Sequence, residues 1–195
     1  MTASEDHLDP ALRAEALSSL LIERGLIDEA TVNNFIKTYE QSVGPLNGAK
    51  VVARAWADPG YTQRLLADGN AAAAEAGFGE PDGFSYRLKV VANQPGLHNL
   101  IVCTLCSCYP VSLLGPSPSW YKSLAYRARA VREPGAVLAE FGLDLPADTQ
   151  VAVWDANSET RYMVLPSRPP GTGHLAEPAL AALVTRNGLI GTATV

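Results

Sequence analysis

Cysteine is absent from residues 1–102 and from residues 109–195. That removes a disulfide framework, and it removes the two spaced cysteine pairs on which most structural zinc sites are built. Long apolar runs are missing too. No stretch approaches the roughly 20 residues of a membrane span. The opening MTASEDHLDP lacks the basic and apolar regions of a secretory signal, so a cytoplasmic chain is expected. Positive charge is scarce: 15 Lys and Arg stand against 20 Asp and Glu, a formal net charge of −5. A nucleic-acid surface needs clustered cations to neutralise phosphates, so nucleic acid is not an expected partner. No serine sits in a Gly-x-Ser-x-Gly elbow, which argues against a serine hydrolase. Neither internal repeats nor low-complexity tracts occur. The 195 residues, 47% of them hydrophobic, suffice for one ordinary core plus an appendage.

What is present is concentrated in Val102 to Pro110, VCTLCSCYP, which holds all three cysteines: Cys103, Cys106 and Cys108. The tight Cys-x-x-Cys-x-Cys spacing lets three sulfurs face one point without help from distant loops. A thiolate triad selects soft or borderline metals such as zinc, copper(I) or an iron–sulfur cluster. His98, five residues before Cys103, is the one imidazole near enough to complete a set. Alternatively the backbone completes it. The peptide nitrogens of Ser107 and Cys108 lie between sulfur ligands, where five-membered chelate rings could close, and deprotonating an amide calls for a trivalent ion.

The run Cys-Thr-Leu-Cys-Ser-Cys resembles the metal-binding claw of the nitrile hydratase alpha subunit and of the metal-bearing subunit of thiocyanate hydrolase. Other stretches resemble the same family: VGPLNGAKVVARAWADPGY from Val43 to Tyr61, SWYKSLAYRAR from Ser119 to Arg129, and the tail TRNGLIGTATV, where Asn187 replaces the usual aspartate. The resemblance runs from about Leu12 to the end. It implies one low-spin Co(III) or Fe(III), held by three sulfurs and two backbone nitrogens. Thr104 and Tyr109 match the cobalt type rather than the iron type.

From the resemblance follow an activity, hydration of a nitrile to its amide, and an alternative, thiocyanate hydrolysis. It implies oxidation of Cys106 to the sulfinic acid and of Cys108 to the sulfenic acid, with Cys103 left as an unmodified axial thiolate. Cys108 and Ser107 are then the candidate catalytic residues. Partners are implied as well: a beta-type subunit, as one chain or split in two, whose arginines meet the oxidised sulfurs, and an activator protein that delivers cobalt. A zinc-stabilised interaction module without catalysis is the non-enzymatic alternative.

One departure stands next to the claw. Family members commonly read Tyr-Pro-Trp-Pro where this chain reads Tyr-Pro-Val-Ser, with Val111 and Ser112. The family tryptophan borders the substrate channel, so at Val111 either a partner subunit refills the space or the pocket takes a bulky nitrile. Members that act on a nucleoside nitrile in toyocamycin biosynthesis give that reading a chemical precedent. Trp120, Tyr121, Tyr126 and Arg127 follow the claw, either as core aromatics with surface charge or as side chains that support it. His98 reads as a hydrogen-bonded structural histidine, His7 and His174 as solvated.

The expected fold class is α+β. Residues 1–44 form a helical N-terminal arm, and residues 45–195 form the metal-binding catalytic domain. For that domain the resemblance implies layers in the order α-β-β-α. A helix is expected from Asp9 or Pro10 to about Arg24, ended by Gly25. A second, capped by Asp28, carries Val32, Phe35, Ile36 and Tyr39 to near Gly44. These helices either fold back or pack on another subunit, and the resemblance favours the latter. One further helix is expected from Pro59 through Ala76, then strands around Tyr86–Val91 and Leu100–Val102. After an irregular stretch to Pro118, helical character returns between Pro134 and Phe141. Val151–Trp154 and Arg161–Leu165 read as strands around a turn at Asn157 and Ser158. A last helix covers about Pro178 to Thr185.

Overall fold

A computed structural model describes residues 10–33, 47–79 and 86–195. The chain divides into two compact units, Met1–Ser42 and Val43–Val195. In the first, helix α1 spans Pro10–Glu23. Gly25 follows it with φ +64 and stops it in the left-handed region that glycine tolerates. Leu12, Leu17 and Leu20 are exposed along α1. A second helix starts at Glu29, where Asp28 Oδ1 accepts from Thr31 N at 2.7 Å as a side-chain cap. Its expected residues Phe35, Ile36 and Tyr39 lie outside the described residues, as does His7.

The second unit opens with α2, Asn47–Ala57, which buries Ala49, Val51, Val52 and Ala53. The single helix expected from Pro59 to Ala76 is two: α3, Pro59–Ala67, and α4, Gly69–Glu75. Asp68 takes φ −145, ψ 96 between them and accepts from Ala71 N, so its side chain starts a new helix instead of continuing the old one. Gly69 makes the break useful. A Cβ there would lie 2.6 Å from Leu88 O, so only glycine lets α4 settle this closely on the next strand.

Strand β1 is Arg87–Ala92 and β2 is Leu97–Val102. Strand β3 is Gln150–Asp155 and β4 is Thr160–Leu165. The expected turn between β3 and β4 is present, with Asn157 Oδ1 accepting from Glu159 N and Thr160 N. The two strands do not pair with each other, however. β1 pairs with β4 and β2 with β3, both in parallel. Alternation in β1 leaves Arg87 and Lys89 outside and Leu88 and Val90 inside, whereas β2 is buried from His98 to Val102.

The stretch expected to be irregular contains one helical turn, α5, Val111–Leu114, and a 3₁₀ turn, Ser119–Lys122, follows it. Helix α6, Leu124–Arg132, is capped by Ser123, and α7 is Pro134–Glu140. The last expected helix is shorter than expected, α8, Glu177–Ala181, and a further helix, α9, Arg186–Ile190, follows where it was expected to have ended. Thr185 is extended and its hydroxyl accepts from Gly188 N, so it begins α9 rather than ending α8. Helices α3, α4 and α9 lie on β1 and β4, β4 lies on β2, and α6 and α7 cover β2 and β3. That is the expected α-β-β-α layering, with β2 central and its C-terminal end delivering the cysteines. Among the described residues no helix is long and apolar enough to cross a membrane.

Candidate metal centre

Cys103 follows directly on the last residue of β2 and is fully buried. Its placement is that of the core: Val102 before it pairs with Asp155 in the parallel ladder. From there the chain loops outward. Cys106 is exposed and Cys108 partly exposed. The sulfurs of Cys103 and Cys106 are 3.4 Å apart, those of Cys106 and Cys108 3.2 Å apart, and all three lie within 4.8 Å of one another. Cys106 N donates to Cys103 Sγ at 3.3 Å, and the backbone N–H groups of Cys108 and Ser107 are directed at Cys106. The three sulfurs thus face one point. Ser107 is half-buried and lies in the chain between Cys106 and Cys108.

The loop is gripped from outside at several atoms. Asp155 at the end of β3 accepts from Thr104 N at 2.9 Å and from Thr104 Oγ1 at 2.6 Å. Arg127 Nη1 donates to Leu105 O at 3.3 Å. Tyr121 Oη donates to Cys108 O at 3.0 Å, and Tyr126 Oη donates to Ile101 O. Arg161 Nη1 donates to Tyr109 O at 2.7 Å. Tyr109 is buried, and its ring meets Tyr121 edge to face with centroids 5.2 Å apart. Trp120 meets Tyr126 and Phe141 in the same way at 4.9 and 4.6 Å, so it acts on the loop through the tyrosines. Burial raises the phenols of Tyr109, Tyr121 and Tyr126 well above the ordinary tyrosine range, which keeps all three neutral.

The thiols differ in acidity. Hydrogen bonds from Cys108 and then Cys103 bring Cys106 down to about 7. Burial first, and then donation to Cys106, pushes Cys108 up to about 12. In the metal-free loop Cys106 therefore ionises first, and its neighbours serve as donors to it.

His98 stands apart from this cluster. It is buried, with Nε2 2.7 Å from Gly191 O and Nδ1 3.3 Å from Asn93 Nδ2, as a structural histidine should be. His174 is exposed. Val111 is half-buried at the first turn of α5, and the Ser112 hydroxyl lies buried 3.3 Å from Tyr86 Oη. Sequence reasoning missed Asp155 and Arg161. The one available signal was a carboxylate closing the apolar run Val151–Trp154, and it gains meaning only once β3 is known to lie beside β2.

Comparison with known proteins agrees with this geometry. Residues 8–193 match the family model described as nitrile hydratase, alpha chain. The chain is 49% identical to the alpha subunit of the low-molecular-weight cobalt-containing nitrile hydratase of Rhodococcus rhodochrous, over 93% of this chain and 86% of that protein. It is 46% identical to the gamma subunit of thiocyanate hydrolase from Thiobacillus thioparus, over 91% of this chain and 76% of that one. Among solved structures, a double mutant of the Fe-type nitrile hydratase from Comamonas testosteroni Ni1 superposes with a TM-score of 0.88 at 44% identity, covering 96% of this chain and 92% of the other. A cysteine loop at the end of a buried parallel strand, in an α-β-β-α frame matched over nearly its whole length, places this chain in the nitrile hydratase alpha chain family.

Proposed function

We propose that this chain is the metal-bearing alpha subunit of a nitrile hydratase, adding water across a carbon–nitrogen triple bond to give the amide. The observation that carries this is the convergence of Cys103, Cys106 and Cys108 within 4.8 Å. The donor set fits one cobalt(III) ion. Three thiolates are soft ligands, and the peptide nitrogens of Ser107 and Cys108, which lie in the chain between two of the sulfurs, would suit a trivalent centre as further donors. When bound, the ion supplies Lewis acidity toward nitrile and water.

The chain's own residues do the rest. Cys103, held in the core, anchors the loop as an unoxidised thiolate. Cys106 becomes the sulfinic acid and Cys108 the sulfenic acid, both steps lying on the ordinary ladder of cysteine oxidation. Exposure of Cys106 and partial exposure of Cys108 leave these sulfurs open to oxidant and substrate. The oxygen on Cys108 then acts on the adding water, while Ser107 keeps it in place through the backbone. Thr104, Tyr109, Tyr121, Tyr126 and Arg127 keep the loop in shape, with Trp120 behind them.

The partly exposed loop calls for a cover. A beta-type subunit, one chain or two, supplies it along with donors for the oxidised sulfurs, residues 1–44 form the arm that packs on it, and an activator delivers cobalt. The test is metal and product analysis of the chain expressed with its partner and cobalt. About one cobalt per chain, a visible charge-transfer band and amide formation are expected. Stoichiometric zinc, no visible band and no turnover would mark an interaction module instead. Carbonyl sulfide and ammonia from thiocyanate, with no amide from any nitrile, would favour the second reading, which the 46% identity to thiocyanate hydrolase motivates.

A further inference from the structure

Arg161, the second residue of β4, brings a cation to the rim of the cysteine loop with no acid to balance it. Its Nη1 donates to Tyr109 O at 2.7 Å. Its guanidinium lies over the Tyr86 ring, 4.1 Å from the centroid, and Tyr86 Oη in turn meets Ser112 Oγ at 3.3 Å. Arg161 Nε is buried without a hydrogen-bond partner. Among the described residues no carboxylate forms an ion pair with Arg161; the carboxylates in such contacts belong to arginines elsewhere. A half-buried cation without an anion is costly, so a fold that holds one usually has negative charge nearby. On the proposed reading that charge exists. Three thiolates and two deprotonated amides carry more negative charge than a trivalent ion cancels.

We propose that Arg161 is a positioning residue for the metal centre. Its planar fork, flattened on Tyr86, fixes the Tyr109 carbonyl, and thereby the backbone that leaves Cys108, while its charge offsets that of the ligands from within the same chain. Lysine cannot do both, because an ammonium is a point charge with no plane to lie on the ring. The inference rests on the cobalt centre proposed above.

The test uses the cobalt-loaded complex carrying Arg161→Lys or Arg161→Gln. Cobalt content, the visible band, kcat, KM and the unfolding midpoint are measured together. Both variants are expected to fold, with the band shifted and kcat reduced about tenfold or more, Gln more than Lys. KM is expected to stay within a factor of about two, since the residue acts through Cys108 and not on the substrate. A folded variant with unchanged band and unchanged kcat overturns the proposal. If Arg161→Gln does not fold, Arg161→Lys decides alone. Failure of that variant to fold also overturns the proposal, since the residue would then serve the fold and not the centre. A wild-type complex without cobalt fails in a different way. It removes the proposed function, and this inference with it.

Discussion

Cys106 at about 7 is a far stronger acid than Cys108 at about 12. Iodoacetamide at neutral pH should therefore label Cys106 well ahead of Cys108 in the metal-free chain, as peptide mass mapping can read. Equal labelling would mean that the sulfur–sulfur hydrogen bonds do not persist in solution. In the mature enzyme the same mapping should find two oxygens on Cys106, one on Cys108 and none on Cys103. An unmodified Cys106 in active protein would contradict the proposed mechanism. Asp155 offers a third test. Asp155→Ala removes both acceptors from Thr104 and should cost about 1–3 kcal/mol of stability in chemical denaturation, along with some cobalt occupancy. At this scale the ligands were legible because Cys103, Cys106 and Cys108 are close neighbours in the chain. Asp155 and Arg161 were not, because they reach the loop only through strand pairing.

Elements explain where sequence reading went astray. Asp68 can sit inside a helix or cap one, and the choice is made by β1, against which Gly69 brings the new helix. Two short apolar runs around Asn157 look like neighbours in one ladder. Only the ladders show that each takes its partner from earlier in the chain, β3 from β2 and β4 from β1. The tyrosines tie these elements together, and they make a pH prediction. Their folded values are raised by burial above the unfolded value of about 10. Their contribution is therefore complete below about pH 10 and is lost as pH rises toward the folded values, because the unfolded chain gives up its protons first. Unfolding midpoints measured against pH should fall in that alkaline range, and less so for Tyr109→Phe, whose buried hydroxyl has no partner to lose. Gly191 gives a sharper test. Its φ is +93, and a Cβ would stand 2.0 Å from Asn99 O. Gly191→Ala should cost at least about 3 kcal/mol in denaturant unfolding.

For the whole molecule the open question is what the enzyme admits. Val111 occupies the first turn of α5, where its family resemblance leads one to expect an indole, and a tryptophan side chain buries about 150–250 Å². Bulky nitriles, heteroaromatic or nucleoside-like, should therefore react better than acetonitrile. Val111→Trp should lower kcat/KM for the bulky nitrile far more than for the small one, and equal losses would leave Val111 as mere packing. Association belongs to this scale too. Leu12, Leu17 and Leu20 are exposed on α1, so removal of residues 1–44 should weaken binding to the beta partner in gel filtration.

Cys103 sits in a packed core, and the loop after it is pinned by Asp155, Tyr121, Arg127 and Arg161. The centre is thus a socket and not a keystone. In a zinc finger the metal supplies the folding free energy, and chelation denatures the protein. Here the protein's own contacts hold the loop, so fold and metal should be separable. The chain expressed without cobalt should therefore fold and remain inactive, which circular dichroism and turnover can check; loss of the folded signal would contradict it.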